Sequence, residues 1–434
     1  MKKLLFILFL PIQLAFAQQT VTLEESYQLA RENFPNLKKA ELLQEITALN
    51  KENISTNYLP RVSVNGQATY QSDVTKVDIS MPNVTIPSVS KDQYKAYAEF
   101  RQSIWDGGLT SANQVLEDAI LKSNLSELEV ELYKLNEQVA QAFFTVLAMG
   151  QQKEVLQAQK KVLQEKLKVV QSGIRNQMME KSAALTIEAE ILNLEQNELQ
   201  LETGKSAALK MLSILTGKEI DSVSAPEVDQ SEIKPHREIS RPELQLFSNQ
   251  VAQIETQKSL LDKKRNPKVF GFGQAGYGKP GLNMLSDKFD TYYLVGVGVS
   301  WNPFDWNQTD RQKQVLQLRQ EMVQQQEKTF SQNIQLLLAQ QSEQINKLEK
   351  LLEKDNKLVE LKTEITKITA SKLENGTINS ADYVRDMQAE TVAKFNRELH
   401  EIQLKEAIEK QRIIQGKSPH PNLPPKGEGI EGTL

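Results

Sequence analysis

Nine residues recur at one offset of 207 positions, without a gap, between 35–70 and 242–277. The pairs are Pro35/Pro242, Leu37/Leu244, Lys51/Lys258, Pro60/Pro267, Val62/Val269, Gly66/Gly273, Gln67/Gln274, Ala68/Ala275 and Tyr70/Tyr277. Later the halves stay in step at offsets near 199: Trp105-Asp106 against Phe304-Asp305, Ser182-Ala183 against Ser380-Ala381, and Gly217-Lys218 against Gly416-Lys417. A period of about 200 residues is far too long for a solenoid. The chain therefore reads as two large copies of one unit, and what one copy builds the other should build beside it.

Met1-Lys2-Lys3, the apolar run Leu4 to Ala17 and the small-residue site Ala15-Phe16-Ala17 predict a secretory signal peptide over 1–17, with the mature chain starting near Gln18. Cysteine is absent, so an exported chain must hold together without disulfides and without a thiol ligand or nucleophile. No later apolar stretch approaches the roughly 20 residues of a spanning helix; the best is Phe143 to Met149. Entry into a membrane would then have to be as a β-barrel. A formal charge of −4 implies no nucleic-acid partner. His236, His400 and His420 fall in a linker, a polar helix face and the tail, and no nucleophile–base pair or metal-ligand cluster stands out, so neither an enzyme nor a cofactor is expected. Met178 and Met179 are soft donors, but adjacent methionines point to different sides of a helix, and no metal site is assigned to them.

Along the first copy, Thr22 and Glu25 form a capping-box pattern for a short helix over 22–32. A helix from Pro35 to about Asn57 follows, stopped by Pro60. From Arg61 the period changes to two: Val62, Val64, Gly66, Ala68 and Tyr70 alternate with Arg61, Ser63, Asn65, Gln67 and Thr69. A second strand, Tyr94 to Trp105, completes a hairpin of membrane-crossing length. Next comes the seam Leu121, Leu125, Leu128, Leu132, Leu135, Val139, Ala142, Val146, Met149, continuing through Leu156, Leu163, Leu167 and Val170, with Lys153 and Lys160 at two seam positions. Steps of four and three are the coiled-coil period, and about 62 residues make a helix roughly 93 Å long. A turn is expected at Ser172-Gly173, then a returning helix on Ile187, Ile191, Leu194, Leu201, Ala208, Leu212 and Leu215, ending at Gly217.

The second copy repeats this plan: a short helix over 241–265, a hairpin over 267–301, a long helix over 309–373 and a returning helix over 380–415. The expected organisation is thus 18–221 as first repeat with hairpin 61–105, 222–240 as linker, 241–416 as second repeat, and a disordered tail over 417–434. The fold class is mainly helical with membrane strands. Four strands cannot close a barrel, for which eight is the minimum, so several chains must contribute; three would supply twelve strands around an aqueous lumen. Trp105 and Trp301, at corresponding strand ends, suit an aromatic girdle.

The Leu23 to Ala30 opening helix, the Leu59-Pro60 entry to the strand, the Trp105-Asp106-Gly107-Gly108 exit, the tip Asn375-Gly376 and the closing Leu215-Thr216-Gly217 resemble the TolC family of outer-membrane efflux proteins over residues 21 to 416. That resemblance implies a homotrimer with a twelve-stranded barrel in the outer membrane of a Gram-negative bacterium and an α-helical barrel crossing the periplasm. It also implies docking to a periplasmic adaptor and an inner-membrane pump, and passive export of small molecules or polypeptides. The adaptor-docking tips would map to Gly173, Ile174, Arg175 and Asn176 and to Gly376, Thr377, Ile378 and Asn379. A periplasmic gate of acids would map to Asp382, with Arg385 where the second acid is expected and Asp386 adjacent; the expected partner for Arg385 is an acid across the mouth, such as Glu180 of the other hairpin. The alternative is a soluble periplasmic coiled-coil scaffold or pump adaptor, which would share the heptads but needs no matched hairpins.

Overall fold

A computed structural model describes residues 20–75, 89–226 and 239–417. The expected signal peptide, His236, His420, the tail from 418 onward and parts of the first hairpin loop and the linker lie outside the described residues. The elements follow in the order β1 (Thr20–Val21), α1 (Leu23–Asn33), α2 (Lys39–Ser55), β2 (Arg61–Tyr70), β3 (Asp92–Trp105), α3 (Leu109–Arg175), α4 (Lys181–Thr216), β4 (Ser222–Val223), α5 (Pro242–Lys264), β5 (Lys268–Lys279), β6 (Asp290–Ser300), α6 (Gln308–Glu374) and α7 (Ser380–Gln415). Short 3₁₀ turns, Pro35–Lys38 and Thr56–Tyr58, flank α2.

The chain divides into two compact units, and neither is a single copy of the repeat. Of the described residues, one gathers those up to 37, those within 129–242 and those from 330 to 417; the other takes those within 38–128 and 243–329. Each unit draws on both copies, as expected where duplicated pieces pack side by side.

In the second unit the four long strands form one antiparallel sheet in the order β2-β3-β5-β6. Pairing is continuous from Arg61↔Arg101 to Tyr70↔Asp92 and from Lys268↔Ser300 to Gly278↔Asp290. Each strand pair leads into a long helix through one local device. After β3, the Asp106 carboxylate accepts from the amides of Gly108, Leu109 and Thr110 at 3.0, 3.1 and 2.6 Å; after β6, Asp305 accepts from Thr309 N at 3.1 Å. Burial works against the Asp106 charge, but these bonds and the Tyr58 hydroxyl at 2.8 Å hold its pKa below the ordinary value. Gly107 and Gly108 take φ of 75° and 84°, and Trp306 and Asn307 at the matching positions take 53° and 61°. The second copy keeps the turn without its glycines.

In the first unit the heptad seams become buried cores. Tyr27, Tyr133, Val139, Phe143, Phe144, Leu212 and Ile413 pack in one cluster. It is pinned by Tyr133 Oη donating to Ile413 O at 2.6 Å and by the Arg241 guanidinium 4.5 Å from the Tyr133 ring centroid. Leu156, Leu163, Val170, Ile187, Leu194, Leu373, Tyr383 and Met387 form another. The lysines that interrupt the seam are paired with glutamates of α4, Lys153 with Glu202 and Lys160 with Glu198. The expected capping box is present, with Thr22 and Glu25 exchanging backbone bonds. A two-residue parallel ladder, Thr20↔Ser222 and Val21↔Val223, ties the start of the expected linker to the first described strand.

The long helices reach further than their seams suggest, 67 residues each. The turn expected at Ser172-Gly173 is displaced to Asn176–Glu180, because α3 runs on through Arg175. Gln177 N donates to Ile174 O and Met178 N to Gly173 O; Gly376 N donates to Leu373 O and Thr377 N to Lys372 O. These are the paired bonds of a Schellman ending, repeated at an offset of 199 positions. The left-handed residue is Gly376 in one hairpin, φ 68°, and Gln177 in the other, φ 59°. A side chain in that region costs about 1–2 kcal/mol. Gln177→Gly is therefore expected to stabilise the first tip by about 1 kcal/mol, and Gly376→Ala to destabilise the second by a similar amount. Amide exchange at the two tips checks this; equal protection in both variants would refute it.

Candidate functional site

Two features stand out, one in each unit: a sheet whose exposed side is apolar, and a pair of helical tips. Every second residue of the sheet faces one side. That side carries Val62, Val64, Ala68 and Tyr70 on β2, Tyr94, Ala96, Ala98 and Phe100 on β3, Val269, Ala275 and Tyr277 on β5, and Tyr293, Val295, Val297 and Val299 on β6. Val64 is 82% exposed and Val295 73%. On β3 the polar-side residues Gln93, Lys95, Tyr97 and Glu99 are half-buried while their apolar neighbours are exposed. The surface is thus inverted relative to a protein in water, where a contiguous apolar patch of this extent marks a partner or a membrane. β2 and β6, 10 and 11 residues long, are edge strands of the sheet, an arrangement that invites further strand pairing.

Trp105 and Trp301 close the helix-proximal ends of β3 and β6, half exposed, and Trp301 Nε1 donates to Arg265 O at 3.1 Å. Phe304 and Trp306, 86% and 89% exposed, extend that aromatic band. Sequence reasoning missed a second band at the other strand ends: Tyr70, Tyr94, Tyr277 and Phe289, the last stacked on Tyr277 at 5.4 Å between centroids. The recurring Tyr70/Tyr277 pair was its visible trace. In the same region Asp287 accepts from the amide and hydroxyl of Ser90, each at 2.7 Å, tying one hairpin loop to the other.

At the tips, Gly173, Ile174 and Arg175 form the last turn of α3, and only Asn176 of that quartet lies in the turn. A β-carbon at Gly173 would lie 3.0 Å from Met179 Sδ, so this glycine serves close packing and not a left-handed turn. Met178, 79% exposed, and Met179, packed on the core, do point apart. Gly376 and Thr377 form the second tip; Ile378 packs on the same core, and Asn379 caps α7 by accepting from Asp382 N at 2.8 Å. Within the single chain Arg385 pairs along its own helix. It reaches Asp382 at 3.1 Å and Asp386 at 3.9 Å, because one helical turn brings all three together. Lys166 of α3 pairs with Glu374 of α6 at 2.6 Å and lies 5.6 Å from the Tyr383 ring, joining the two hairpins near their tips. His400 is bonded to Asp355 at 2.6 Å.

Tyr383 is buried, and burial, then Glu390 and Glu374, push its pKa from 10.0 up to about 12. The folded state thus holds this proton more tightly than the unfolded chain. The stability it confers is intact below pH 10 and is lost as pH rises toward about 12. Urea midpoints at pH 9 and pH 11 should fall further apart in the parent than in Tyr383→Phe; an equal drop in both would refute the assignment.

Among the described residues no helix is long and apolar enough to cross a membrane, and no group of three or more His, Cys, Asp or Glu is placed to hold a metal. Residues 26–218 match the sequence profile of the family described as outer membrane efflux protein. Among curated proteins, none matches the sequence. In structure the chain is similar to the CmeC outer membrane channel of Campylobacter jejuni, with 12% identity and TM-score 0.62 over 91% of this chain and 86% of that one. It is similar to the outer membrane protein VceC of Vibrio cholerae, with 14% identity and TM-score 0.63 over 91% and 96%. It is also similar to the MtrE outer membrane channel of Neisseria gonorrhoeae in its open state, with 14% identity and TM-score 0.62 over 91% and 88%.

Proposed function

We infer from the match of residues 26–218 to the outer membrane efflux protein family and from the sheet described above that this chain is an outer-membrane exit duct of a tripartite efflux or secretion system. It passes cargo from periplasm to exterior without chemistry of its own. The observation that carries this reading is the inverted sheet: the valines of β2 and β6 69–82% exposed on one side, polar residues on the other, and edge strands left to pair. Lipid covers such a face and neighbouring copies satisfy such edges.

Three copies supply the twelve strands of a barrel wide enough to conduct. The helices carry a matching signal for self-association. α6 presents Leu358, Leu361, Ile365 and Ile368, all 41–55% exposed, at steps of three and four. α4 presents Leu185, Leu192 and Leu199, 53–68% exposed, at steps of seven. Unburied heptad seams call for partner helices. The tips, Asn176 to Glu180 and Gly376 to Asn379, are the surfaces offered to a periplasmic adaptor that joins the duct to an inner-membrane pump. Near the second tip, Asp382, Arg385 and Asp386 form a charged cluster of net −1 per chain; repeated around a threefold axis it would act as the cation-attracting gate. The Lys166–Glu374 pair and Gln388 Nε2 donating to Glu190 at 2.6 Å would hold the hairpins together in the resting state. A soluble scaffold or adaptor leaves the valine face without a solvent.

Membrane fractionation followed by gel electrophoresis with and without boiling tests the duct. The expected result is a band in the outer-membrane fraction that migrates as an oligomer until heated, and stepwise conductance in planar bilayers. A water-soluble monomer that conducts nothing would overturn the reading.

A further inference from the structure

The polar side of the sheet, which faces the lumen if the duct reading holds, is not uniformly polar. At its helix-proximal end Arg61 of β2 and Arg101 of β3 stand directly opposite one another in register. Like charges facing each other across a strand pair are destabilising. Neither guanidinium is ion-paired to a carboxylate among the described residues; Arg61 donates to Asn57 Oδ1 at 3.1 Å, and Arg101 lies over the Phe270 ring, 3.9 Å from its centroid. Arg101 is also in register with Phe272. Phe270 and Phe272, 6.1 Å apart, pave the adjacent strand. Their planes are tilted 47° to each other and their tips reach over β6, since a β-carbon at Gly298 or Gly296 would come within 2.5 or 2.6 Å of the Cζ atoms of Phe270 or Phe272. The result is an aromatic floor beside two uncompensated cations.

We propose that Arg61, Arg101, Phe270 and Phe272 form a binding site for a planar aromatic anion, such as an aromatic carboxylate or sulfonate, passing through the barrel. The acid group supplies the charge the arginine pair lacks, in the bidentate geometry guanidinium favours. The ring stacks on Phe272 and on the free side of a guanidinium. Three such sites around the lumen would favour anionic aromatic cargo at the entry to the barrel.

The test uses full-length trimers in planar bilayers with naphthalene-1-sulfonate as blocker and hexane-1-sulfonate as its aliphatic counterpart. Naphthalene-1-sulfonate should block the parent channel and hexane-1-sulfonate should do so only weakly. Arg101→Gln and Phe272→Ala should each weaken the block roughly tenfold. Arg101→Lys, which keeps charge but not the planar face, should retain anion preference yet lose most of the aromatic block. Conducting channels with no block, or a block indifferent to these substitutions, would overturn the site while leaving the duct intact. Equal block by both sulfonates would overturn the aromatic class. Material that forms no channels would overturn the duct itself and the site with it.

Discussion

Val295→Arg will prevent stable insertion of the assembled protein, while Gln274→Arg on the opposite face of the sheet will be tolerated. Val295 sits mid-strand on β6, 73% exposed, among Val297, Val299 and Tyr293 on the apolar side. An arginine at the midplane of a barrel wall costs about 2–4 kcal/mol. In the proposed barrel of three copies that cost would be repeated threefold. Gln274 faces the polar side, in register with Glu99 and Leu294, where a cation stays hydrated. The readout is the heat-modifiable oligomer in the membrane fraction. A water-soluble protein would respond oppositely, since replacing an exposed valine by arginine improves its surface; unchanged yield of oligomer in Val295→Arg would argue against lipid on that face.

The second large effect concerns the helices. Leu361→Glu combined with Ile365→Glu should leave the chain helical but dissociate the oligomer. Both residues are exposed in the single chain, 55% and 41%, so they contribute little to its own core. Burying a leucine or isoleucine against a neighbour stabilises by about 1.5–3 kcal/mol, and glutamates there would also bury unpaired charge. In the proposed trimer, with two positions at each of three interfaces, the loss would exceed what an assembly at micromolar concentration can absorb. Native mass or sedimentation of the detergent-extracted protein decides it. Retained trimer would mean that the α6 seam packs against nothing.

The architecture was largely legible because its signals repeat. Period-two alternation from Arg61 and steps of four and three from Leu121 match β2 and α3, and the Thr22/Glu25 box opens α1 where expected. The first helical tip was misplaced for a physical reason: the left-handed residue is Gln177, and a glutamine carries no turn signature. The internal repeat held the answer. Gly217 and Gly416 are both left-handed helix ends 199 apart, and the same offset from Gly376 lands on Gln177, not Gly173. Trp306 hides its positive φ in the same way, for its counterpart is Gly107. Asp382, Arg385 and Asp386 were legible as one charged group near the second tip, but not the pairing of Arg385 along its own helix, which depends on side-chain geometry. The cross-strand arginine pair needs register, which hydrophobic alternation alone does not fix.

The absence of cysteine from this chain makes the most direct test of a lipid-facing sheet practical. Single cysteines placed in turn at 292–299 on β6, spin-labelled and reconstituted in vesicles, report whether each position meets lipid-soluble oxygen or a water-soluble nickel chelate. A lipid-facing sheet gives alternation of period two, with 293, 295, 297 and 299 open to oxygen and 292, 294, 296 and 298 open to the chelate. Uniform access to the chelate, or the opposite phase, would contradict it.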